Sequence, residues 1–226
     1  VWSIPPRGTI NLHGSLLPQY RGAAPIHWAV INGENTTGVT TFLIEKEIDT
    51  GKILLQEEIK IEPNETTGDI YNRLMEIGGK VMLKTIDGIT KDNLQPIEQS
   101  NFGLIDLMSA PKLFKKDGEI NFNQPVLKVH DFCRGLTPFP SAWCRLYNKV
   151  RKEYKTYKIS NTLIGNDSCN MESKINSSEE GILFPCIDYY LIVRDIQPEG
   201  KRKMSFKEFL AGNSINDISF YEDRKV

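Results

Sequence analysis

The chain has 226 residues, a formal net charge of −1, 39% hydrophobic and 25% charged residues, which is typical of an ordinary soluble globular protein. No apolar run approaches the length that crosses a bilayer and no signal segment opens the sequence, so we expect neither a membrane protein nor a secreted one. The four cysteines are too widely spaced for a CxxC metal site or a dense disulfide framework, and we expect reduced thiols in a cytoplasmic protein.

The first half of the chain has the pattern of an α/β unit. Strands are predicted over 9–13, 39–44 and 53–61, and helices over 25–31 and 67–89. Pro25 suits the first turn of the shorter helix, and Thr66 with Asp69 forms a capping pair for the longer one. We therefore predict a domain over 1–92, followed by a linker over 93–111 that is polar and contains a proline.

The second half, 112–226, has the pattern of a small β-barrel. One helix is predicted over 125–135, and short strands over 142–147, 154–159, 181–185 and 189–196. The Asn- and Ser-rich segment 166–180 is predicted to be a mobile loop. Residues 1–100 carry 9 Lys and Arg against 13 Asp and Glu, whereas the rest of the chain has a net charge of +3. Any contact with nucleic acid is therefore expected mainly in the second half.

The segment 11–29, NLHGSLLPQYRGAAPIHWA, carries the candidate chemistry. Asn11 and His13 are two apart, so on a strand their side chains share a face, and Gly14 then ends the strand. An amide and an imidazole thus stand at the carboxyl end of a strand, where open α/β sheets bind ligands. On local pattern alone, an Asn-x-His pair is more often a hydrogen-bonded polar corner than a catalytic pair.

This segment resembles the 10-formyltetrahydrofolate-dependent formyltransferases, and within them the methionyl-tRNA formyltransferase family. Residues 38–51 resemble the family's strand and loop ending in a catalytic Asp-x-Gly, with His13 and Asp49 standing 36 positions apart. Residues 197–205, QPEGKRKMS, resemble the closing motif of the family's second domain. The resemblance implies the C-terminal half of a formyltransferase-type parallel-sheet domain, followed by an OB-like tRNA-binding domain.

The resemblance also implies the reaction: transfer of the formyl group of 10-formyltetrahydrofolate to the amino group of initiator methionyl-tRNA, without a metal. Such a transfer needs oxyanion stabilisation and removal of a proton from the attacking nitrogen. Asn11, His13 and Asp49 are the implied catalytic residues, with Asn11 donating to the oxyanion and Asp49 orienting His13. Which of the three is the formal base stays open. Without the resemblance, Asp49 before Thr-Gly would be interpreted as a turn residue.

The remaining implied site residues bind the two substrates. The folate site is implied at Ser15, Leu16, Leu17 and Pro18, although the two leucines are equally suited to filling the core. The tRNA contacts are implied at Tyr20, Arg21, Lys112, Lys115, Lys116, Lys201, Arg202 and Lys203. On charge alone, the basic clusters would be interpreted as solvated surface. They coincide, however, with the family's linker and closing motif.

Two features depart from the family pattern. Glu47 stands where the family often has glycine, which we expect to alter the loop that lines the folate pocket. The chain begins with Val1, close to a motif that the family places after a nucleotide-fold-like half, so we expect an N-terminally truncated catalytic domain that is inactive alone. Two other interpretations stay open: a formyltransferase or hydrolase acting on a sugar nucleotide or folate, and a catalytically dead RNA-binding module. We expect a monomer that does not bind membranes.

Overall fold

The computed structural model describes residues 2–103 and 106–220. The chain divides into two compact units, Val1–Leu113 and Phe114–Val226. Each unit combines helices with strands, which confirms the mixed α/β class.

The first unit contains five strands and two α-helices among its described residues. The strands are β1 (Ile10–His13), β2 (Arg21–Gly22), β3 (Thr36–Leu43), β4 (Ile53–Lys60) and β5 (Ser109–Ala110). The helices are α1 (Pro25–Ile31), α2 (Thr67–Thr90) and a 3-10 helix, Gln99–Phe102.

The main sheet of the first unit is antiparallel. Its strand order is β1-β3-β4, and both pairings run antiparallel, with His13 opposite Thr40. The expectation of a parallel sheet is therefore wrong for these three strands. The reason is the short connection between β3 and β4, because a parallel pair needs a long crossover. Among the described residues, parallel pairing occurs between β2 and β5.

Helix α2 packs along this sheet. The predicted capping pair is confirmed: the amide of Asp69 donates to Thr66 Oγ1 at 3.2 Å, and the amide of Thr66 donates to Asp69 Oδ2 at 2.9 Å. Ile70, Leu74 and Val81 lie on the buried face of the helix, in one core cluster with the buried residues of α1 and β3. This packing supports the strands that carry the candidate site.

The second unit is mainly antiparallel sheet. Its strands are β6 (Ala142–Asn148), β7 (Glu153–Ser168), β8 (Asn176–Ser177), β9 (Ile182–Pro185), β10 (Tyr189–Pro198), β11 (Met204–Ser205) and β12 (Ile218–Ser219). Its helices are α3 (Val126–Gly135), α4 (Phe206–Gly212) and the 3-10 helices Lys115–Gly118 and Ile215–Asp217. The strand order is β12-β6-β7-β10-β9-β8, with β11 also paired to β10.

Strand β7 is much longer than the sequence predicts. It continues to Ser168 because β10 remains paired with it as far as Tyr189 opposite Ser168. The prediction of a loop over 166–180 is therefore wrong at its start, and also at β8 within it. Backbone pairing with a distant strand fixes a segment whose own composition favours a loop.

The cysteines of the second unit differ in exposure. Cys133, Cys144 and Cys186 are buried, whereas Cys169 is partly exposed and donates its thiol to the carbonyl of Cys186 at 3.4 Å. Burial raises the pKa of all four thiols, that of Cys186 to about 12. All four cysteines are free thiols.

In the described part of the chain, we find no helix that combines the length and the hydropathy of a membrane span.

Candidate active site

His13 ends strand β1 and lies at the centre of the candidate site. The residue is 6% exposed, and the edge of its ring faces Phe42 in a T-shaped contact with centroids 6.3 Å apart. Its Nε2 lies 2.9 Å from the carbonyl oxygen of Tyr20. Because a carbonyl oxygen only accepts, Nε2 carries the hydrogen in this arrangement. The other ring nitrogen, Nδ1, lies 3.7 Å from Oδ2 of Asp49.

Asp49 reaches His13 from the loop between β3 and β4. Its backbone has φ of +54°, in the left-handed region that side chains rarely adopt. Its Oδ2 accepts a hydrogen bond from the amide of Gly22 at 2.9 Å. The carboxylate is therefore held from one side by strand β2 while it faces the imidazole. The structure thus brings together His13 and Asp49, which the sequence separates by 36 positions.

Asn11 stands two residues before His13 on the same strand and is exposed. Its Oδ1 accepts a hydrogen bond from the amide of Leu12 at 2.9 Å. This bond leaves Nδ2 as the outward-pointing end of the side-chain amide. Its Nδ2 makes no hydrogen bond within the described residues. This leaves an N–H donor available to a ligand beside the buried imidazole.

Gln99 is a site residue that sequence reasoning missed. It is 5% exposed, and its Nε2 donates to the carbonyl oxygens of Asp49 at 2.9 Å and Gly51 at 2.8 Å. Its Oε1 accepts from Nε and Nη2 of Arg21 at 3.0 and 2.6 Å. The segment around it is polar and has no periodicity, so no sequence signal distinguishes Gln99 from its exposed neighbours.

The predicted folate loop, residues 15–18, is tied to strand β3. Thr40 Oγ1 donates to the carbonyl of Ser15 at 2.6 Å and accepts from the amide of Leu17 at 3.1 Å. Leu17 is 1% exposed and packs with Phe42 and Ile53, so its side chain fills the core rather than lining a pocket. Ser15 is fully buried and donates its hydroxyl to the carbonyl of Gln19 at 2.6 Å. Side-chain contact with folate from these two positions does not fit this arrangement.

The structure also corrects the expectation for Tyr20. Tyr20 is 5% exposed, and its hydroxyl donates to Glu34 at 2.5 Å and accepts from Asn32 at 3.2 Å. Burial, together with the hydrogen bond to Glu34, raises the pKa of Tyr20. A ring that is packed in the core offers no face on which a base can stack, so the predicted stacking role is wrong for this conformation. Likewise, the Nε and Nη2 edge of Arg21 is bound to Gln99 rather than open to a phosphate.

Each of the two units matches a known family of proteins. The formyl transferase family model matches residues 1–86, and the formyl transferase C-terminal domain model matches residues 112–214. A methionyl-tRNA formyltransferase from Bacteroides thetaiotaomicron is 39% identical over 226 residues, covering 96% of this chain and 68% of the relative. The chain belongs to the methionyl-tRNA formyltransferase family. The resemblance inferred from the sequence motifs is thereby confirmed.

Other members and structures agree with this membership. The methionyl-tRNA formyltransferase of Porphyromonas gingivalis is 37% identical, covering 98% of this chain and 70% of the relative. The solved N-formyltransferase from Helicobacter canadensis, in complex with folinic acid and dTDP-3-aminofucose, has a TM-score of 0.64 at 24% identity, covering 86% of this chain and 66% of that one. At this identity the likeness shows the fold that the family shares.

In this member of the methionyl-tRNA formyltransferase family, the second unit carries an open basic groove of about 660 Å³. Its lining combines Lys115 and Lys116 with residues 197–200 of the closing motif, whereas the predicted basic residues Lys201, Arg202 and Lys203 are not part of the lining. Lys158 and Arg145 also line the groove, and the sequence analysis missed both. Their alternation along strands could have identified them, because residues two apart on a strand share a face.

The remaining basic residues that were predicted to bind tRNA differ in whether they form ion pairs. Arg202 donates to Glu208 at 2.7 Å, and Lys203 lies 3.0 Å from Asp195. Lys201 is exposed, and Lys112 is exposed near the end of the first unit. Local ion pairs thus partly neutralise two of the three charges of the closing motif.

Proposed function

We propose that this protein transfers the formyl group of 10-formyltetrahydrofolate to the free amino group of initiator methionyl-tRNA, giving formylmethionyl-tRNA for translation initiation. The observation that carries the proposal is the contact between His13 and Asp49, whose facing atoms lie 3.7 Å apart at the end of strand β1. Asn11 stands on the same strand with a free amide N–H. Amide, imidazole and carboxylate together form the set that acyl transfer to an amine requires.

Each of the three residues has a role that follows from its contacts. Asn11 donates from Nδ2 to the formyl oxygen as negative charge develops there. His13 accepts or relays the proton that leaves the attacking amine, since an imidazole ring can both accept and donate a proton. Asp49, held by the amide of Gly22, orients His13 and stabilises its charged form. The amine nitrogen adds to the formyl carbon to give a tetrahedral oxyanion, the bond from that carbon to N10 of folate then breaks, and the amine proton is passed on to N10.

The folate donor is assigned to the loop that follows β1. Leu16 is partly exposed, whereas Ser15, Leu17 and Pro18 are buried. Leu16 also packs against Gly38, where a Cβ would lie 2.5 Å from Leu16 Cδ2. We therefore assign Leu16 and the loop backbone to the folate wall, with Ser15, Leu17 and Pro18 acting as its buried support.

The tRNA partner is assigned to the basic groove of the second unit. Lys115, Lys116, Lys158 and Lys201 form no ion pair with the described residues, so their charges are available to phosphates. We infer an OB-like barrel for this unit, since the long strand β7 pairs with β6 along its first part and with β10 along the rest. We further propose that the protein is a cytoplasmic monomer.

The test is formyl transfer by the natural full-length protein, with 10-formyltetrahydrofolate as donor and charged initiator tRNA as acceptor. We expect His13→Ala and Asp49→Ala each to lose on the order of 10²–10⁴-fold in kcat, as for loss of a general acid–base group. His27 is a partly exposed histidine on α1, and His27→Ala is the matched control, which we expect to keep its activity. Turnover of a sugar nucleotide or of free folate, with none on tRNA, would overturn the substrate. RNA binding without any turnover would indicate the catalytically dead module.

A further inference from the structure

Gln99 is a buried polar residue to which the proposed chemistry assigns no role. Its carboxamide has two N–H donors, and both are bound to backbone carbonyls of the loop that carries Asp49. Its oxygen accepts two hydrogen bonds from the guanidinium of Arg21. All hydrogen-bonding groups of the side chain are thus used, and all are directed at two segments of the candidate site.

The loop at Asp49 needs such support. Asp49 has a left-handed backbone, and residues in sparsely populated conformations persist only where surrounding contacts fix them. The carbonyls of Asp49 and Gly51 both follow the Asp49 Cα along the chain, and Gln99 binds both. The 3-10 helix Gln99–Phe102 therefore holds the loop directly after the strained position.

The same glutamine connects this loop to strand β2. Arg21 is bonded to Gln99 through its side chain, and the next residue, Gly22, donates its amide to the Asp49 carboxylate at 2.9 Å. The loop and the strand are thus joined twice: once through Gln99 and once through the carboxylate itself. A shift of either segment would change the 3.7 Å separation between Asp49 Oδ2 and His13 Nδ1.

We propose that Gln99 is a positioning residue for formyl transfer, which clamps the Asp49 loop to strand β2 so that the carboxylate faces His13. The proposal rests on the proposed function. Gln99 acts through Asp49 and not on the substrates, so its loss should lower kcat while leaving KM nearly unchanged. Misplacement of a catalytic group by about 1 Å costs on the order of 10²-fold in rate.

The experiment compares two substitutions of Gln99 with a matched control. Gln99→Met keeps the length of the side chain and removes every polar atom, whereas Gln99→Glu keeps the acceptor for Arg21 and removes both donors. Gln19→Met is the control, because Gln19 also bridges two segments of the first unit, donating to the carbonyl of Asp106 at 2.9 Å and accepting from the amide of Met108 at 2.8 Å. These bonds do not involve Asp49.

In the full-length protein we expect Gln99→Met and Gln99→Glu to lower kcat by about 10- to 100-fold, with KM for either substrate changed less than about threefold. Gln19→Met should stay within about threefold of the wild type in both constants. In the double variant Gln99→Met with Asp49→Ala, we expect no loss beyond that of Asp49→Ala alone, because a positioning residue has no effect once its target is gone. The proposal is wrong if the losses of the two single variants multiply in the double variant. It is also wrong if Gln99→Met and Gln19→Met lose activity equally.

A second measurement does not depend on turnover. Amide hydrogen exchange at Gly22 reports the hydrogen bond to Asp49. We expect the exchange rate at Gly22 to be at least about tenfold higher in Gln99→Met than in Gln19→Met. Unchanged exchange at Gly22 refutes the clamp, even if activity falls. If the wild type transfers no formyl group but Gly22 exchange responds as expected, the proposed function fails while the clamp on Asp49 stands.

Discussion

Thr40 holds the loop over 15–17 against strand β3 with a single hydroxyl group. This fully buried oxygen donates to the carbonyl of Ser15 and accepts from the amide of Leu17 and from Nε2 of Gln56, at 2.6, 3.1 and 2.9 Å. Thr40→Val preserves the shape of the side chain and removes all three bonds. Gln56 keeps its other bond, to the carbonyl of Leu17 at 2.8 Å, so it is not left unsatisfied.

The cost of this substitution comes from the two backbone groups that stay buried. Ser15 is 0% and Leu17 1% exposed, so water cannot replace the lost partner of either group. Each such group costs about 1–3 kcal/mol, and the free energy of unfolding should fall by about 2–6 kcal/mol. With an m-value of about 2 kcal/mol/M, the urea midpoint of the affected unit should fall by about 1–3 M.

Urea unfolding followed by Trp28 fluorescence, in a variant without the other tryptophans, measures this change. Thr37→Val is the matched control, because Thr37 is 4% exposed on the same strand and its hydroxyl makes no hydrogen bond within the described residues. If Thr40→Val and Thr37→Val differ by less than about 0.5 kcal/mol, the argument from unsatisfied backbone groups is wrong. We also expect a higher KM for the folate donor in Thr40→Val, since the loop it supports is the proposed folate wall.

Three further outcomes are expected. Gly51→Ala should lower kcat/KM by on the order of 10²-fold, because a Cβ there would overlap a backbone carbonyl oxygen of β3 and displace the loop that carries Asp49; Gly79→Ala, whose Cβ would meet open space, should keep full activity. The Arg202 side chain, with hydrogen bonds from Ser205, lowers the pKa of Glu208 to about 2. The ionised Glu208 carboxylate should therefore stabilise the fold fully above about pH 4.3, and this stabilisation should be lost as the pH falls towards 2. Comparing the melting temperature of wild type and Glu208→Gln across that pH range tests this. Lys158→Ala should weaken tRNA binding and reduce the slope of log affinity against log salt by about 1, and an unchanged slope would remove Lys158 from the interface.

Sequence signals located the elements whose formation is decided locally. Helix α1 spans the residues predicted for it, because proline at its start and Asn32-Gly33 at its end are local signals. Helix α2 likewise matches its predicted capping pair and apolar spacing to within one residue. Local chemistry of this kind does not depend on the rest of the fold.

Local sequence signals do not predict features that depend on partners distant in sequence. Strand β7 extends beyond its predicted end because β10 pairs with it, and the sheet is antiparallel because β3 and β4 share a short connection. The sequence pattern predicts a stacking role for Tyr20, because no local signal indicates that its hydroxyl is bound to Glu34. No local signal predicts a role for Gln99, for the same reason. The candidate catalytic trio was found through a family resemblance, and its roles stay a proposal.

The unequal burial of the four cysteines has a practical consequence for studying the protein in solution. Since Cys133, Cys144 and Cys186 are shielded from solvent, a maleimide dye added to the folded protein should react at Cys169 far faster than elsewhere. Cys169 lies just after β7, at the end of the second unit's longest strand, and far along the chain from the candidate active site. Within this chain, Cys169 therefore provides an attachment point for a fluorophore, through which tRNA binding could be followed.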